Sequence, residues 1–152
     1  MSDLSAAARA ILDEQAYLTL GTADADGRPW VSPVWYAHEA YTELFWVSSP
    51  DAIHSRNVVT RPEVAVVVFD SAAAVGTGQA VYMAATAGEL AGEALARGIA
   101  IYSQRSVEQG VRAWSPDDVQ GGAASRLFRA VASGTWVLNP SVRGDHRVSV
   151  AP

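Results

Sequence analysis

The stretch "RPWVSPVWY", residues 28–36, holds two prolines and three large aromatic rings. Strands usually keep proline out, because it donates nothing to the hydrogen-bond ladder. The density of Trp30, Trp35 and Tyr36 calls for something flat to lie against. The reading is a strand over about 28–38 with an interrupted ladder. Its carbonyls and N–H groups are then free for the edge of a ligand.

The flanks place this strand in an antiparallel series. Before it, "AYLTLGTAD" (16–24) alternates Leu18 and Leu20, and "DADG" (24–27) has turn chemistry, so the two strands form a hairpin. Further upstream, residues 3–15 set Leu4, Ala8, Ile11 and Leu12 on one helical face. After it, 38–43 turns into a third strand at 44–49, predicting a meander with strands two and three as neighbours. Ser49, Pro50 and Asp51 read as N-cap, N1 and N2 of a helix that Pro62 ends. The β-branched run 63–70 reads as a buried central strand. Residues 71–78 read as a loop, 79–90 as a strand and 89–114 as a helix weakened by Gly92, Gly98 and Gly110. A short Ser-Pro-Asp start at 115–122, a long strand at 125–140 and an edge strand at 145–150 complete the chain. Five or six longer strands without a helix after each predict one domain, 1–152, mainly β with peripheral helices, as a small antiparallel barrel.

Composition narrows the chemistry. With 49% hydrophobic residues, 152 residues support one core. The chain has no cysteine, which excludes disulfides, thiolate metal sites and a Cys nucleophile and suits the cytoplasm, the expected compartment. No signal-like segment or membrane-length apolar run is present. All eleven basic residues are Arg, so lysine-based catalysis is excluded. A net charge of −5 without a basic stripe argues against a nucleic-acid partner.

Most chemical motifs dissolve on inspection. Gly76-Thr77-Gly78 lacks a third glycine and precedes a strand, so it reads as a loop. His38, His54 and His146 form no metal-ligand pair, and Asp24 and Asp26 are turn residues. The segment "FWVSSPDAIHSRN" (45–57) is more informative. A strand ends in two hydroxyls, Ser48 and Ser49, and a helix begins with unpaired N–H groups and a positive dipole end. His54, Arg56 and Arg61 follow. Hydroxyls, helix N-terminus and cations together suit an anion, most naturally a phosphate. A flat heteroaromatic ring with a phosphate tail answers both segments.

In the order and spacing of these segments the chain resembles the pyridoxamine 5′-phosphate oxidase-like superfamily of flavin- and deazaflavin-binding split barrels. The matching phrases are "YLTLGTADADGRPWVSPVWY", "LFWVSSPDAIHSRNVVTRPEVAVVVFD", "GQAVYMAATAGEL" and "RLFRAVASGTWVLNP", over about residues 8–140. The resemblance implies a six-stranded split β-barrel and a homodimer with the cofactor, FMN or alternatively F420, between subunits. An excess of apolar surface points to a dimer as well. By position, the resemblance assigns Ser48 and Ser49 to the cofactor phosphate, and Val31, Ser32, Pro33 and Val34 to the ring edge through their backbone. Trp35 becomes a packing neighbour of the ring. His54 stands where the family often has Lys, with Ala52 at a frequent Arg position and Arg56 nearby as compensation. The tail of the true pyridoxamine phosphate oxidases is absent, so oxidation of pyridoxamine phosphate is not expected. The expected activity is hydride transfer at a flavin to or from a small-molecule substrate that the sequence does not specify. A non-catalytic flavin-binding module is the other reading. No residue stands out as acid or base beyond His54 and Tyr36.

Overall fold

The computed structural model describes residues 3–152. Helix α1 (Asp3–Glu14) is followed by β1 (Tyr17–Ala23), β2 (Pro29–Trp35), β3 (Ala37–Glu39) and β4 (Glu43–Ser48). Next come α2 (Ile53–Thr60), β5 (Glu63–Phe69), β6 (Ala80–Glu89) and α3 (Gly92–Glu108). A 3₁₀ turn (Pro116–Asp118), β7 (Arg126–Leu138) and β8 (Arg147–Ser149) close the order. The architecture is a split barrel: one antiparallel sheet that runs β2-β1-β5-β6-β7-β4-β3, with β8 added on β7. Six strands are long, as expected, and β3 and β8 are three-residue additions. Among the described residues, no helix is long and apolar enough to cross a membrane.

The expected meander is corrected in one respect. The strand read as 28–38 is two strands with a corner at Tyr36. Its first part pairs with β1, Trp35 opposite Tyr17, and its second with β4, Ala37 opposite Phe45. β4 has β7 and β3 as neighbours, not β2. One short run of chain thus supplies both ends of the sheet path. Tyr36 pins the corner: it is 1% exposed, its backbone N–H donates to the Ala16 carbonyl (3.3 Å) and its O–H to the Leu12 carbonyl at the end of α1 (2.8 Å).

Two cores lie on opposite faces of β4. Leu44 and Trp46 point into the barrel with Leu12, Leu18, Leu20, Tyr36, Val66, Val68 and Phe128. Trp46 stacks on Phe128 with centroids 5.8 Å apart. Phe45 points the other way, toward Leu95, Ile99 and Tyr102 of α3, with Ala37 and Leu127. β5 is central by pairing, between β1 and β6, but it is not buried on both faces as expected: Val64, Val66 and Val68 are buried, while Ala65 and Phe69 are exposed.

Helix α3 is shorter than the expected 89–114 because its flanking glycines bound it. Gly110, at φ +75°, closes the helix: its N–H and that of Val111 return to the Val107 and Ser106 carbonyls in a Schellman arrangement. Gly98 instead permits close approach to the sheet. A Cβ there meets side-chain carbons of Leu90, Phe45 and Leu127 at 3.0–3.1 Å. Gly98→Val should destabilise the protein by about 1–3 kcal/mol through overpacking, measured by urea denaturation. An unchanged midpoint would show that the α3 seam is loose.

Candidate functional site

The parity of β2 fixes which backbone groups face outward. In the β1–β2 ladder, Tyr36 N–H donates to Ala16 and Asp24 N–H to Arg28, and every opposed pair keeps the same register between them. Antiparallel pairs alternate between hydrogen-bonded and open. Even-numbered residues of β2 therefore turn their backbone groups to β1, which takes Ser32 and Val34 out of the expected ring-edge contacts, and odd-numbered ones turn theirs away. Pro29 and Pro33 are both odd, so each missing N–H falls on the outer edge, where it breaks no ladder bond. That edge offers the Val31 N–H as a donor and the carbonyls of Val31 and Pro33 as acceptors. The side chains of Trp30 and Val31 are exposed beside it.

Helix α2 and the end of β4 flank this strand. α2 packs on β1 with further contacts to β2 and β6, and β2 also touches β4. Asn57 holds the helix in place: buried at 6% exposure, its Nδ2 donates to Thr22 Oγ1 (3.0 Å), which donates to the Trp30 carbonyl (3.3 Å). This relay ties α2 through β1 to β2. Sequence reasoning assigned Asn57 no role, since its partner lies 35 residues away.

The structure brings two of the expected phosphate residues together. His54 Nε2 and Ser48 Oγ share a 2.8 Å hydrogen bond whose direction follows the imidazole tautomer. Burial lowers the His54 pKa from its ordinary value, so the ring is neutral at neutral pH in the free protein. Ser49 is placed differently from expectation and is not the N-cap. Its carbonyl and hydroxyl accept the N–H groups of Ala52 and Asp51 (both 3.2 Å) in a turn, so α2 starts later, with Ala52 as an N-cap that offers no side-chain oxygen. The first N–H groups of α2 thus lack a side-chain cap. Arg56 is exposed and faces Asp51 at 3.4 Å, and Arg61 donates to the Ala25 carbonyl (3.0 Å).

Two other residues stand apart from these. Trp35 turns to α3, edge-to-face with Tyr102 (4.7 Å), and its Nε1–H donates to Gln109 Oε1. Tyr36, an acid–base candidate in the sequence, is taken up by the core: burial raises its pKa far above the usual range, and its O–H is bound to Leu12.

A family model described as pyridoxamine 5′-phosphate oxidase matches residues 4–129. No curated protein matches significantly. Among solved structures, HutZ, described as the heme storage protein from Vibrio cholerae, has a TM-score of 0.71 at 24% identity, covering 90% of this chain and 95% of its own. A FAD-binding protein from Mesorhizobium loti has a TM-score of 0.65 at 19% identity, covering 90% and 94%. A structure described as an F420 reductase has a TM-score of 0.61 at 17% identity, covering 84% and 94%. At these identities the likeness carries the fold.

Asn57→Ala should cost about 1–3 kcal/mol in urea denaturation, because it removes a buried partner of the Thr22 hydroxyl. Unchanged stability would mean that the relay does not anchor α2.

Proposed function

Because the chain belongs to the pyridoxamine 5′-phosphate oxidase family, we propose that it is an FMN-binding oxidoreductase acting on a small-molecule substrate, with F420 as the alternative cofactor. The observation that carries this reading is the open edge of β2 flanked by α2 and the end of β4, where the Ser48–His54 pair sits. The residues present fit the cofactor. A flavin ring edge carries both acceptor and donor atoms, which the N–H of Val31 and the carbonyls of Val31 and Pro33 suit. Ser48, the imidazole of His54 and the uncapped N–H groups of α2 suit the phosphate. Arg56 adds charge at longer range, reduced by its pairing with Asp51. The bound flavin would supply hydride transfer, and the protein position and electrostatics. A homodimer, with the second copy covering the cofactor's other face, belongs to the same proposal.

The second reading is a binding or storage module. It is favoured by one observation: Tyr36 is buried and His54 is hydrogen-bonded to Ser48, so neither acid–base candidate stands free. HutZ is described as a storage protein. Absorbance of the purified protein separates these readings. A flavin band in the blue that bleaches with a reductant and recovers with an acceptor supports the oxidoreductase. A Soret band, or a flavin that never turns over, supports the module.

The phosphate assignment has a pH signature. The His54 pKa is depressed in the free protein. A phosphate beside it favours the imidazolium and raises that pKa in the complex. Binding therefore takes up a proton, and FMN affinity falls as pH rises between the two values. Burial moves the lower limit of this window below the imidazole's usual value of about 6.5. The phosphate's own titration near pH 6 is common to every variant. His54→Lys stays charged and should bind FMN with a flatter pH profile and more tightly at high pH. Parallel curves for the two proteins would remove His54 from the phosphate site.

A further inference from the structure

A second concave surface lies where β2 meets α3. It is an open groove of about 390 Å³, lined chiefly by Tyr17, Trp35, Tyr102, Gln109, Val111 and Trp114. We propose that this groove binds a flat, uncharged ring compound, and that this compound is the class of substrate presented to the cofactor on the β2 edge. The substrate role rests on the cofactor reading above. The binding site rests on the groove itself.

Its walls are rings at right angles. Trp35 and Tyr102 meet edge-to-face at 4.7 Å and 79°, and Tyr102 and Trp114 at 5.5 Å and 79°. Each ring fixes the next, so flat faces are held without cost on binding, as aromatic pairs favour this geometry. No lining side chain carries a charge. Arg112 lies over Trp114 at 3.7 Å, and its charge is paired with Asp118 at 3.2 Å. Burial keeps the Tyr102 phenol neutral by raising its pKa. An anion here is desolvated without a partner, which is costly. Both indole N–H groups are already used, Trp35 on Gln109 Oε1 and Trp114 on Ser106 Oγ (3.2 Å). The Trp35 bond occupies Gln109 Oε1 and leaves the NH₂ of this exposed residue as a donor at the rim for a carbonyl or ring nitrogen.

Two chain neighbours relate the groove to the proposed cofactor site. Trp35 is the last residue of the strand whose outer edge holds Val31 and Pro33. Val47, the neighbour of Ser48, packs with Trp35 and Trp114 against the cluster that holds Tyr102. The same two strand ends therefore frame both features.

Calorimetry on the full chain without added flavin tests the site, using naphthalenecarboxamide and its isosteric anion naphthalenecarboxylate. The carboxamide should bind roughly tenfold or more tightly than the carboxylate, since Arg112 is already paired with Asp118. Trp114→Ala should weaken the carboxamide by roughly tenfold. Gln109→Arg, at an exposed rim position, should reverse the preference in favour of the carboxylate. That reversal is a readout that a misfolded variant does not give. Equal affinity for the two compounds overturns the proposal. So does no heat from either, as when a second copy covers the groove. FMN titrated into the same samples keeps the two claims apart: carboxamide binding without FMN binding retains the groove and removes the cofactor reading.

Discussion

The fold depends on one run of chain, residues 29–39, serving both ends of the sheet path. β2 ends on β1 and β3 begins on β4, with only Tyr36 between them. A closed barrel pairs every edge. Here closure comes through the covalent chain at the corner, so the length of β2 before it keeps an unpaired outer edge. Tyr36 makes the corner possible. Its ring enters the barrel core, and its O–H and N–H bind carbonyls at the end of α1 and before β1. The prolines that look unsuited to a strand lie at the parity that faces the open edge, where they break no ladder bond and keep another strand from docking.

The second dependency is β4, buried on both faces. Leu44 and Trp46 close the barrel, whereas Phe45 carries the α3 layer together with Leu127. Gly98 lets α3 come close enough for that layer to form. The position of α3 in turn sets Tyr102 against Trp35 and Val47. The packing that stabilises the second core thus also builds the aromatic groove, which is why the groove lies beside the strand end bearing Ser48.

Much of this was legible in the sequence, and the misses share a cause. The interrupted ladder of residues 28–36, the helix at 3–15 and the proximity of Ser48 to His54 follow from local pattern, whereas the place of β2 at the end of the sheet does not. Strand neighbours do not: β1 with β5 and β4 with β7 are long-range pairings that periodicity leaves open. Ser49 failed as an N-cap because a Ser-Pro-Asp turn and a helix start compete for the same hydroxyl, and the turn takes it. Trp35 follows from strand alternation once Tyr36 is seen to point inward; its neighbour must then point out. Gln109, 74 residues from Trp35, carried no local signal at all. Nor did Asn57, an ordinary helix residue until Thr22 is folded against it.

The central claim is that the outer edge of β2 is open in the free protein and is where the ring cofactor lies. Amide hydrogen exchange by NMR along residues 30–36, with and without FMN, addresses it most directly. The account predicts slow exchange at Ser32 and Val34 in both states, since both face β1. It predicts fast exchange at Val31 in the free protein and marked slowing when FMN binds. Fast exchange at Ser32 and Val34, or a Val31 amide indifferent to saturating FMN, would contradict it.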